Sequence, residues 1–376
     1  MRTGEIKRQR PPVWPVPGKT PKTPHMETGA ARHPLWRWVK RLALALLIGV
    51  IVLVITSGLV FWRLTVTVTN YTGAHFNQHQ NAVWLEHEWA GQSHTSGDYD
   101  ALAQRLSAEQ VTYVFAHVGP LNSDGTIPDD LAPNAATLVS ELHVRLPNLH
   151  VLAWIGQVEA AGGNPGDVTV DLGNSAVRAQ IAQTAAHFVK DLGFDGVHYD
   201  IEPIINNNPR FIDLLTETRA LLPPGAILST IGQKWAPNAH MADFLRSQGK
   251  GGAWWTSYYY ADVAAHVDQI VPIIYDTAMP TARTYEIFVQ QETEHILESV
   301  RSASHPPQVL IGVPTYAGNS FWFHDSAENV STSLSGVIAG LNSNSDTSAF
   351  TGVALYRFAT TTDADWSVYD TMWLGK

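Results

Sequence analysis

The sequence predicts an α/β protein built as a (β/α)8 TIM barrel, preceded by a single N-terminal transmembrane helix. The barrel is predicted because eight short apolar runs after Asn81 alternate with amphipathic stretches of helix length, over roughly 280 residues. The transmembrane helix is predicted because one long uncharged apolar stretch lies upstream of these runs. A doubly wound open sheet is the alternative to the barrel, but no glycine-rich dinucleotide fingerprint follows any of the runs.

The apolar stretch covers residues 42–62, which is 21 residues, and about 20 suffice for a helix to span a bilayer. Residues 1–41 carry ten Lys or Arg against two Asp or Glu, whereas residues 42–376 carry a net charge of −18. The positive-inside rule therefore predicts a single-pass protein of the cell membrane, with a basic, disordered cytoplasmic tail and an extracellular remainder. A cleaved signal peptide is the alternative, although its apolar core is usually only about 7–15 residues long.

Residues 63–80 are predicted to be a spacer, and residues 81–376 the barrel. The eight candidate strands are Ala82–Trp89, Val111–Val118, His150–Ile155, Phe194–Glu202, Ile227–Gln233, Gln269–Asp276, Val309–Thr315 and Gly352–Phe358. The clearest helices are Ser175–Leu192, Pro209–Leu222 and Thr284–Ser302. The first of them has a core-facing apolar stripe made of Val177, Ile181, Ala185, Phe188 and Val189. Pro272, inside the sixth candidate strand, predicts a bulge or a late strand start because it lacks a backbone N–H donor.

The fourth candidate strand carries the most informative pattern in the chain, Gly-Phe-Asp-Gly-Val-His-Tyr-Asp-Ile-Glu-Pro over residues 193–203. Side chains alternate between the two faces of a strand, so His198, Asp200 and Glu202 share one face and the apolar residues share the other. A central barrel strand is buried on both faces, where ionisable groups need partners or a purpose. The pattern therefore indicates a catalytic site at the end of this strand rather than a solvated edge strand.

A metal site is a second interpretation of these three side chains, since all are ligands of zinc or of hard cations. Three ligands on one strand lie too far apart to converge on an ion without others, and no HxH or HExxH pattern is present. We predict neither a metal nor a cofactor. The chain has no cysteine, which excludes disulfides and thiolate sites, and the acidic outer domain argues against nucleic acid as a partner.

Residues 195–202 resemble the Asp-Gly-x-Asp-x-Asp-x-Glu signature of glycoside hydrolase family 18, the chitinase-like barrels, on the strand where that family carries it. On the sixth strand, Ile-Ile-Tyr-Asp over residues 273–276 is similar to the family's Met-x-Tyr-Asp motif. The resemblance covers roughly residues 81–373 through strand order and these two motifs. It departs from the family at His198, which replaces the first signature aspartate.

The resemblance implies a retaining glycosidase without an enzyme nucleophile, in which the substrate's own 2-acetamido oxygen attacks the anomeric carbon. It implies that Glu202 is the general acid and that Asp200 stabilises the oxazolinium. Tyr275 and Asp276 would hold the acetamido group. His198 has two alternative roles: a neutral imidazole would orient the neighbouring aspartate by a hydrogen bond, whereas an imidazolium would hold it ionised and narrow the active pH range.

Further candidates for glycan binding lie near the predicted strand ends. Tyr356 is nearest to the active-site tryptophan with which the family usually ends its eighth strand, and Trp366 lies further on. Glu86 and Glu88 would share one face of the first strand, where they contact sugar hydroxyls or form structural salt bridges.

Aromatic residues add candidates that have two interpretations each. Trp154, Trp235 and Tyr316 are either sugar-stacking platforms or barrel-core residues. The aromatic segment of Trp254, Trp255 and Tyr258–Tyr260 is either a substrate wall or loop packing.

The leading functional prediction is a glycosidase that cleaves β-linked N-acetylglucosamine-containing glycans outside the cell: chitin-type oligomers, peptidoglycan or the N-glycan core. The alternative is a catalytically weak or inactive barrel that binds such glycans, although the presence of Glu202 argues against it. A tethered scaffold is a third interpretation, which the polar strand face disfavours. The predicted partners are the glycan and, through the N-terminal helix, the membrane.

Overall fold

The computed structural model describes residues 34–65, 71–164, 166–247 and 252–376. The chain divides into two units, Met1–Val60 and Phe61–Lys376, and each is described by itself. The predicted cytoplasmic tail lies mostly outside the described residues, as does part of the predicted spacer.

An apolar helix, α1, runs from Pro34 to Thr65. Its segment Trp36–Trp62 has 27 residues, a mean hydropathy of 2.9 and no burial against protein, so its length and composition suffice to cross a membrane. A signal sequence near an N-terminus has the same properties. The helix begins before the predicted Leu42 because Trp, Lys and Arg are compatible with helical backbone, so a change in polarity does not fix where a helix begins.

Eight parallel strands form the barrel: β1 (Asn81–Leu85), β2 (Val111–Pro120), β3 (His150–Glu159), β4 (Gly196–Glu202), β5 (Ile227–Gly232), β6 (Gln269–Pro272), β7 (Gln308–Pro314) and β8 (Phe350–Tyr356). Each strand pairs with the next along the chain, and β8 pairs with β1 to close the sheet, as in the register of Ala354 with Ala82. The predicted (β/α)8 barrel is confirmed.

Helices surround the sheet. The longer ones are Ser96–Ala108, Ala135–Arg145, Ser175–Lys190, Pro209–Leu221, Ala282–Val300 and Val330–Ser343. The shorter ones are Glu88–Gly91, Ala239–Ser247, Ser257–Ala264 and Asp363–Tyr369, with a 3-10 turn at Phe358–Thr360 and a π turn at Asp370–Leu374. Thr169–Val170 extends the sheet beside β3, whereas Lys234–Ala236 and Trp254–Thr256 pair with each other between β5 and β6.

Two apolar clusters hold the barrel together. The larger cluster lies between the sheet and the helices, and it includes the whole predicted stripe of the helix Ser175–Lys190. The smaller cluster fills the inside of the barrel with residues such as Trp84, Phe115 and Trp154. Strand β4 contributes Val197, Tyr199 and Ile201 to the outer cluster, while its polar side chains turn inward, where the ring of His198 stacks on Phe115 of the inner cluster.

Two strand predictions were wrong. β1 ends at Leu85, and Glu88 begins a short helix, so Glu86 and Glu88 do not share a strand face. β6 starts at Gln269 as predicted but ends at Pro272, without the expected bulge or late start. Proline lacks the N–H that would continue the ladder, and only an isolated bridge from Ile273 to β7 follows.

The described part of the predicted spacer, residues 71–80, is bound to the barrel. The backbone N–H of Gly73 donates to the carbonyl of Met372 at 2.6 Å. The amide of Gln78 donates to the carbonyl of Phe350 at 2.7 Å. The barrel unit therefore includes these residues.

Candidate active site

A cleft of about 990 Å³ opens at the carboxyl ends of the barrel strands. Side chains that line it come from β1, β3, β4, β5 and β8 and from the loops that follow the strands, among them Asp200, Glu202, Tyr275, Asp276 and Tyr356. The structure thus brings together five of the eight site residues predicted from the sequence. This end of a TIM barrel is where active sites lie, because the strand ends converge there.

Strand β4 delivers two carboxylates to the floor of the cleft. Asp200 and Glu202 are partly exposed, whereas the five residues before and between them are buried. A close approach of β4 to β5 fixes this position, since a Cβ at Gly196 would lie 2.0 Å from the carbonyl oxygen of Ile227. Glycine is the residue that permits this separation.

Asp200 is held by an indole. The Nε1–H of Trp154, on β3, donates to Oδ2 of Asp200 at 2.8 Å. Burial raises the pKa of Asp200 from 3.8 to about 6, and the indole hydrogen bond limits that rise because it favours the ionised carboxylate. Trp154 therefore serves the site rather than acting only as a core residue.

Glu202 has the higher pKa of the two carboxyls. Burial and, after it, the neighbouring charge of Asp200 raise the pKa of Glu202 from 4.5 to about 8, and the charge of Lys234 partly offsets both effects. Near pH 7 the site therefore holds a protonated Glu202 next to a largely ionised Asp200. This pairing of an acid with a base is typical of glycosidase sites.

Lys234 is a member of the site that the sequence reasoning missed. It follows β5, is 4% exposed and lines the cleft. Burial lowers its pKa, and four carboxylates raise it: Asp276, Glu202, Glu292 and Glu328. The only signal in the sequence was a lysine two residues after a buried strand.

Tyr275 and Asp276 lie across the cleft, after β6. The hydroxyl of Tyr316 donates to Oδ1 of Asp276 at 2.8 Å, so this tyrosine is part of the site. The ring of Tyr275 stacks on that of Tyr356, with centroids 5.3 Å apart and planes 20° apart. Tyr356 thus occupies the end of β8, whereas Trp366 is buried in the outer cluster.

His198 lies inside the barrel, is 0% exposed and does not line the cleft. Its ring stacks on Phe115 with a centroid separation of 3.9 Å. Its Nδ1 bonds Ser229 Oγ at 2.8 Å, and this hydroxyl donates to Gln269, so the imidazole carries its proton on Nδ1. Burial lowers the pKa of His198 to about 3, which leaves the ring neutral. Burial thus favours the neutral alternative, but the hydrogen bond of this ring goes to Ser229 rather than to Asp200 as predicted.

Two other predicted substrate-binding residues do not line the cleft. Oε1 of Glu86 accepts the backbone N–H of Ala359 at 2.8 Å. The ring of Trp235 stacks on His295 at 3.8 Å, and its Nε1 donates to Ser257.

The aromatic segment between β5 and β6 is mainly packing. Its buried members are Trp255, Tyr259 and Tyr260, and they belong to the outer cluster. Tyr258 is 77% exposed. Among the residues that the structure describes, no group of three or more His, Cys, Asp or Glu is arranged to hold a metal ion.

Comparisons with known proteins agree with this geometry. Residues 86–372 match the family described as Glycosyl hydrolases family 18. Chitinase B of Serratia marcescens is 29% identical over 186 residues, which are 46% of this chain and 36% of that protein. The chain thus spans about a third of the length of this curated relative.

Solved structures share the fold. A chitinase from Bacteroides thetaiotaomicron has a TM-score of 0.53 at 13% identity, covering 77% of this chain and 93% of the other. The spore cortex-lytic enzyme SleL of Bacillus cereus has a TM-score of 0.51 at 14% identity, covering 77% and 73%. Through the match over most of its length, and with the barrel and the cleft described above, the chain belongs to glycosyl hydrolase family 18.

Proposed function

We propose that this protein is a retaining, substrate-assisted glycosidase that cleaves β-linked N-acetylglucosamine-containing glycans. Chitin-type oligomers, peptidoglycan and the N-glycan core all contain the 2-acetamido sugar that such a mechanism needs. The observation that carries the proposal is the pair of carboxyls on β4, in which a protonated Glu202 lies next to a largely ionised Asp200. Family membership supports the reaction class.

In the first step, Glu202 gives its proton to the glycosidic oxygen as the bond from that oxygen to the anomeric carbon breaks. The carbonyl oxygen of the substrate's acetamido group forms the new bond to the anomeric carbon, which yields an oxazolinium ion and the free leaving alcohol. Asp200 stabilises the positive charge that develops on the acetamido nitrogen. Its bond from Trp154 supports this role because it favours the ionised form.

In the second step, Glu202, now a carboxylate, takes a proton from a water molecule that attacks the anomeric carbon. The bond to the acetamido oxygen breaks, and the sugar is released with its original anomeric configuration. The carboxyl of Glu202 is protonated again at the end of the cycle. The positive charge of Lys234 supports this change of protonation state because it lowers the pKa of Glu202 and so stabilises its carboxylate.

Tyr275 and Asp276 are suited to hold the acetamido group. Both line the cleft opposite β4, and the hydroxyl of Tyr316 fixes the carboxylate of Asp276 at 2.8 Å. The stacked rings of Tyr275 and Tyr356 offer an aromatic surface beneath a sugar. His198 acts beneath these groups as a neutral packing residue, which keeps a second carboxylate away from Asp200.

The test compares the full chain in detergent with Glu202→Gln on N-acetylglucosamine oligomers and peptidoglycan fragments. Glu298→Gln, at an exposed site on an outer helix, is the matched control. We expect the Glu202 variant to lose about 1,000-fold or more in kcat, because the acid is lost while the side-chain shape is kept. Binding without turnover in the unmodified chain would instead favour a glycan-binding barrel.

We also propose that the helix Pro34–Thr65 anchors the protein with its N-terminus in the cytoplasm and the barrel outside. The basic excess before the apolar segment supports this orientation. Protease added to intact cells should then digest the barrel, whereas an N-terminal tag should be protected. A soluble barrel released by cleavage after the helix would identify a signal peptide instead.

A further inference from the structure

Arg357 is a cation of the cleft that the mechanism above does not use. It follows Tyr356 at the end of β8, lines the cleft and has a side chain that is 42% exposed. Its guanidinium makes no hydrogen bond to any residue that the structure describes. Buried arginines of the same fold differ: Arg178, for instance, donates to Glu217 and to the carbonyl of Leu172.

Among the described residues, Arg357 has one ion-pair partner, Glu86, which leaves the hydrogen-bond donors of the guanidinium available. One carboxylate oxygen, Oε1 of Glu86, lies 4.0 Å from Nη1, too far for a hydrogen bond, and accepts from the backbone of Ala359. His117 on β2 also faces the guanidinium, and burial lowers the pKa of His117 to about 4, so that ring is neutral near pH 7. Lys234, which also lines the cleft, instead interacts electrostatically with four carboxylates.

A guanidinium with free donors has a specific chemical complement. Its planar fork of N–H groups matches the two oxygens of a carboxylate, and such paired bonds are among the strongest hydrogen bonds in proteins. Neutral sugar hydroxyls also accept hydrogen bonds from guanidinium N–H groups, but they do not compensate its charge. Building on the proposed function, we propose that Arg357 binds a carboxylate carried by the glycan, which makes an acidic amino-sugar polymer the preferred substrate.

Two kinds of glycan supply that carboxylate next to a 2-acetamido sugar. One carries it on a lactyl ether, as in the N-acetylmuramic acid of peptidoglycan strands. The other carries it on a uronic acid that alternates with N-acetylglucosamine. The shared chemistry is one carboxylate per disaccharide, and the experiment separates the two sources.

The experiment measures affinity by calorimetry with the full chain in detergent carrying Glu202→Gln, so that bound glycan is not cleaved. The ligands are the disaccharide of N-acetylglucosamine and N-acetylmuramic acid, and the same disaccharide with its carboxylate reduced to the alcohol. A matched pair built on glucuronic acid forms the second arm. The measurements are repeated with Arg357→Gln introduced into the Glu202→Gln chain. Arg210→Gln, at an exposed helix site, is introduced separately as the charge-matched control.

We expect the alcohol to bind about tenfold to hundredfold more weakly than the acid in one of the two arms. Arg357→Gln should bring that ratio close to one, whatever happens to the absolute affinity, and Arg210→Gln should preserve it. Equal binding of acid and alcohol in both arms overturns the inference, as does a ratio that survives Arg357→Gln. Arg246 also lines the cleft, and the inference is overturned if Arg246→Gln abolishes the ratio while Arg357→Gln does not. It is also overturned if the chain binds none of the ligands.

Turnover by the unmodified chain separates this inference from the proposed function. A chain that prefers the acidic ligand but hydrolyses neither glycan refutes the hydrolase and leaves carboxylate recognition standing. A chain that hydrolyses neutral oligomers without any preference for the acid refutes carboxylate recognition and leaves the hydrolase standing.

Discussion

Replacing Glu202 by glutamine should stabilise the fold at alkaline pH. The pKa of Glu202 rises from 4.5 to about 8, so the folded chain keeps a proton that the unfolded chain has already lost. Between these two values the unfolded state binds fewer protons, and the free energy of unfolding therefore falls as pH rises. Glutamine has nearly the same shape and no titratable proton, so the free energy of unfolding of the variant avoids this fall.

The magnitude follows from the difference between the two pKa values. One pKa unit corresponds to about 1.36 kcal/mol. Above pH 8, the variant should therefore exceed the unmodified chain by about 3–5 kcal/mol in free energy of unfolding. Below pH 4.5 both chains carry a neutral group, and the difference should vanish. For a barrel of this size, about 3 kcal/mol corresponds to roughly 5 °C in Tm.

Thermal unfolding of the full chain at pH 4, pH 6 and pH 8.5 tests this prediction. The gain in Tm of Glu202→Gln over the unmodified chain should grow with each step in pH. Glu298→Gln, whose side chain is 70% exposed, is the control and should show no such growth. A gain that is equal at all three pH values would refute the argument that this carboxyl is held protonated in the fold.

Four further predictions concern the chemistry of the cleft. The value of kcat/KM on an N-acetylglucosamine oligomer should rise near pH 6, as Asp200 ionises, and fall near pH 8, as Glu202 loses its proton. A flat pH profile across this range would contradict the assignment. Trp154→Phe removes the hydrogen bond that lowers the pKa of Asp200, so the rising limb should move to higher pH; a shift to lower pH would be inconsistent with this bond. His198→Ala removes a buried ring stacked on Phe115 and should lower the free energy of unfolding, measured with urea, by about 3 kcal/mol. A decrease below about 1 kcal/mol would argue against the packing role of this ring. Tyr316→Phe removes the donor to the neighbouring aspartate and should raise KM about tenfold in steady-state assays, with an unchanged KM arguing against that contact.

The strand pattern was predictable because it depends only on local alternation. The two faces of β4 follow from a period of two residues, and the structure places Asp200 and Glu202 in the cleft as that period requires. The barrel followed from the count of apolar runs separated by helices. Strand ends were less predictable, since Pro272 ends its strand through a missing donor rather than through a change in polarity.

The partners of the site residues were not predictable, because they come from distant parts of the chain. Ser229, which binds His198, is 31 residues away in sequence, and Trp154 is 46 residues from Asp200. These contacts depend on the register between neighbouring strands, which one sequence does not reveal. Arg357 was missed for the same reason, since only the closed barrel brings the end of β8 to the cleft.

The anomeric configuration of the first product tests most directly whether the reaction is retaining, as the substrate-assisted mechanism requires. Proton NMR during cleavage of an N-acetylglucosamine tetramer by the full chain should show the β-anomer first, with slow conversion to the α-anomer afterwards. Initial release of the α-anomer would mean direct attack by water on the opposite face, and the assignment of Glu202 and Asp200 to a substrate-assisted reaction would be wrong.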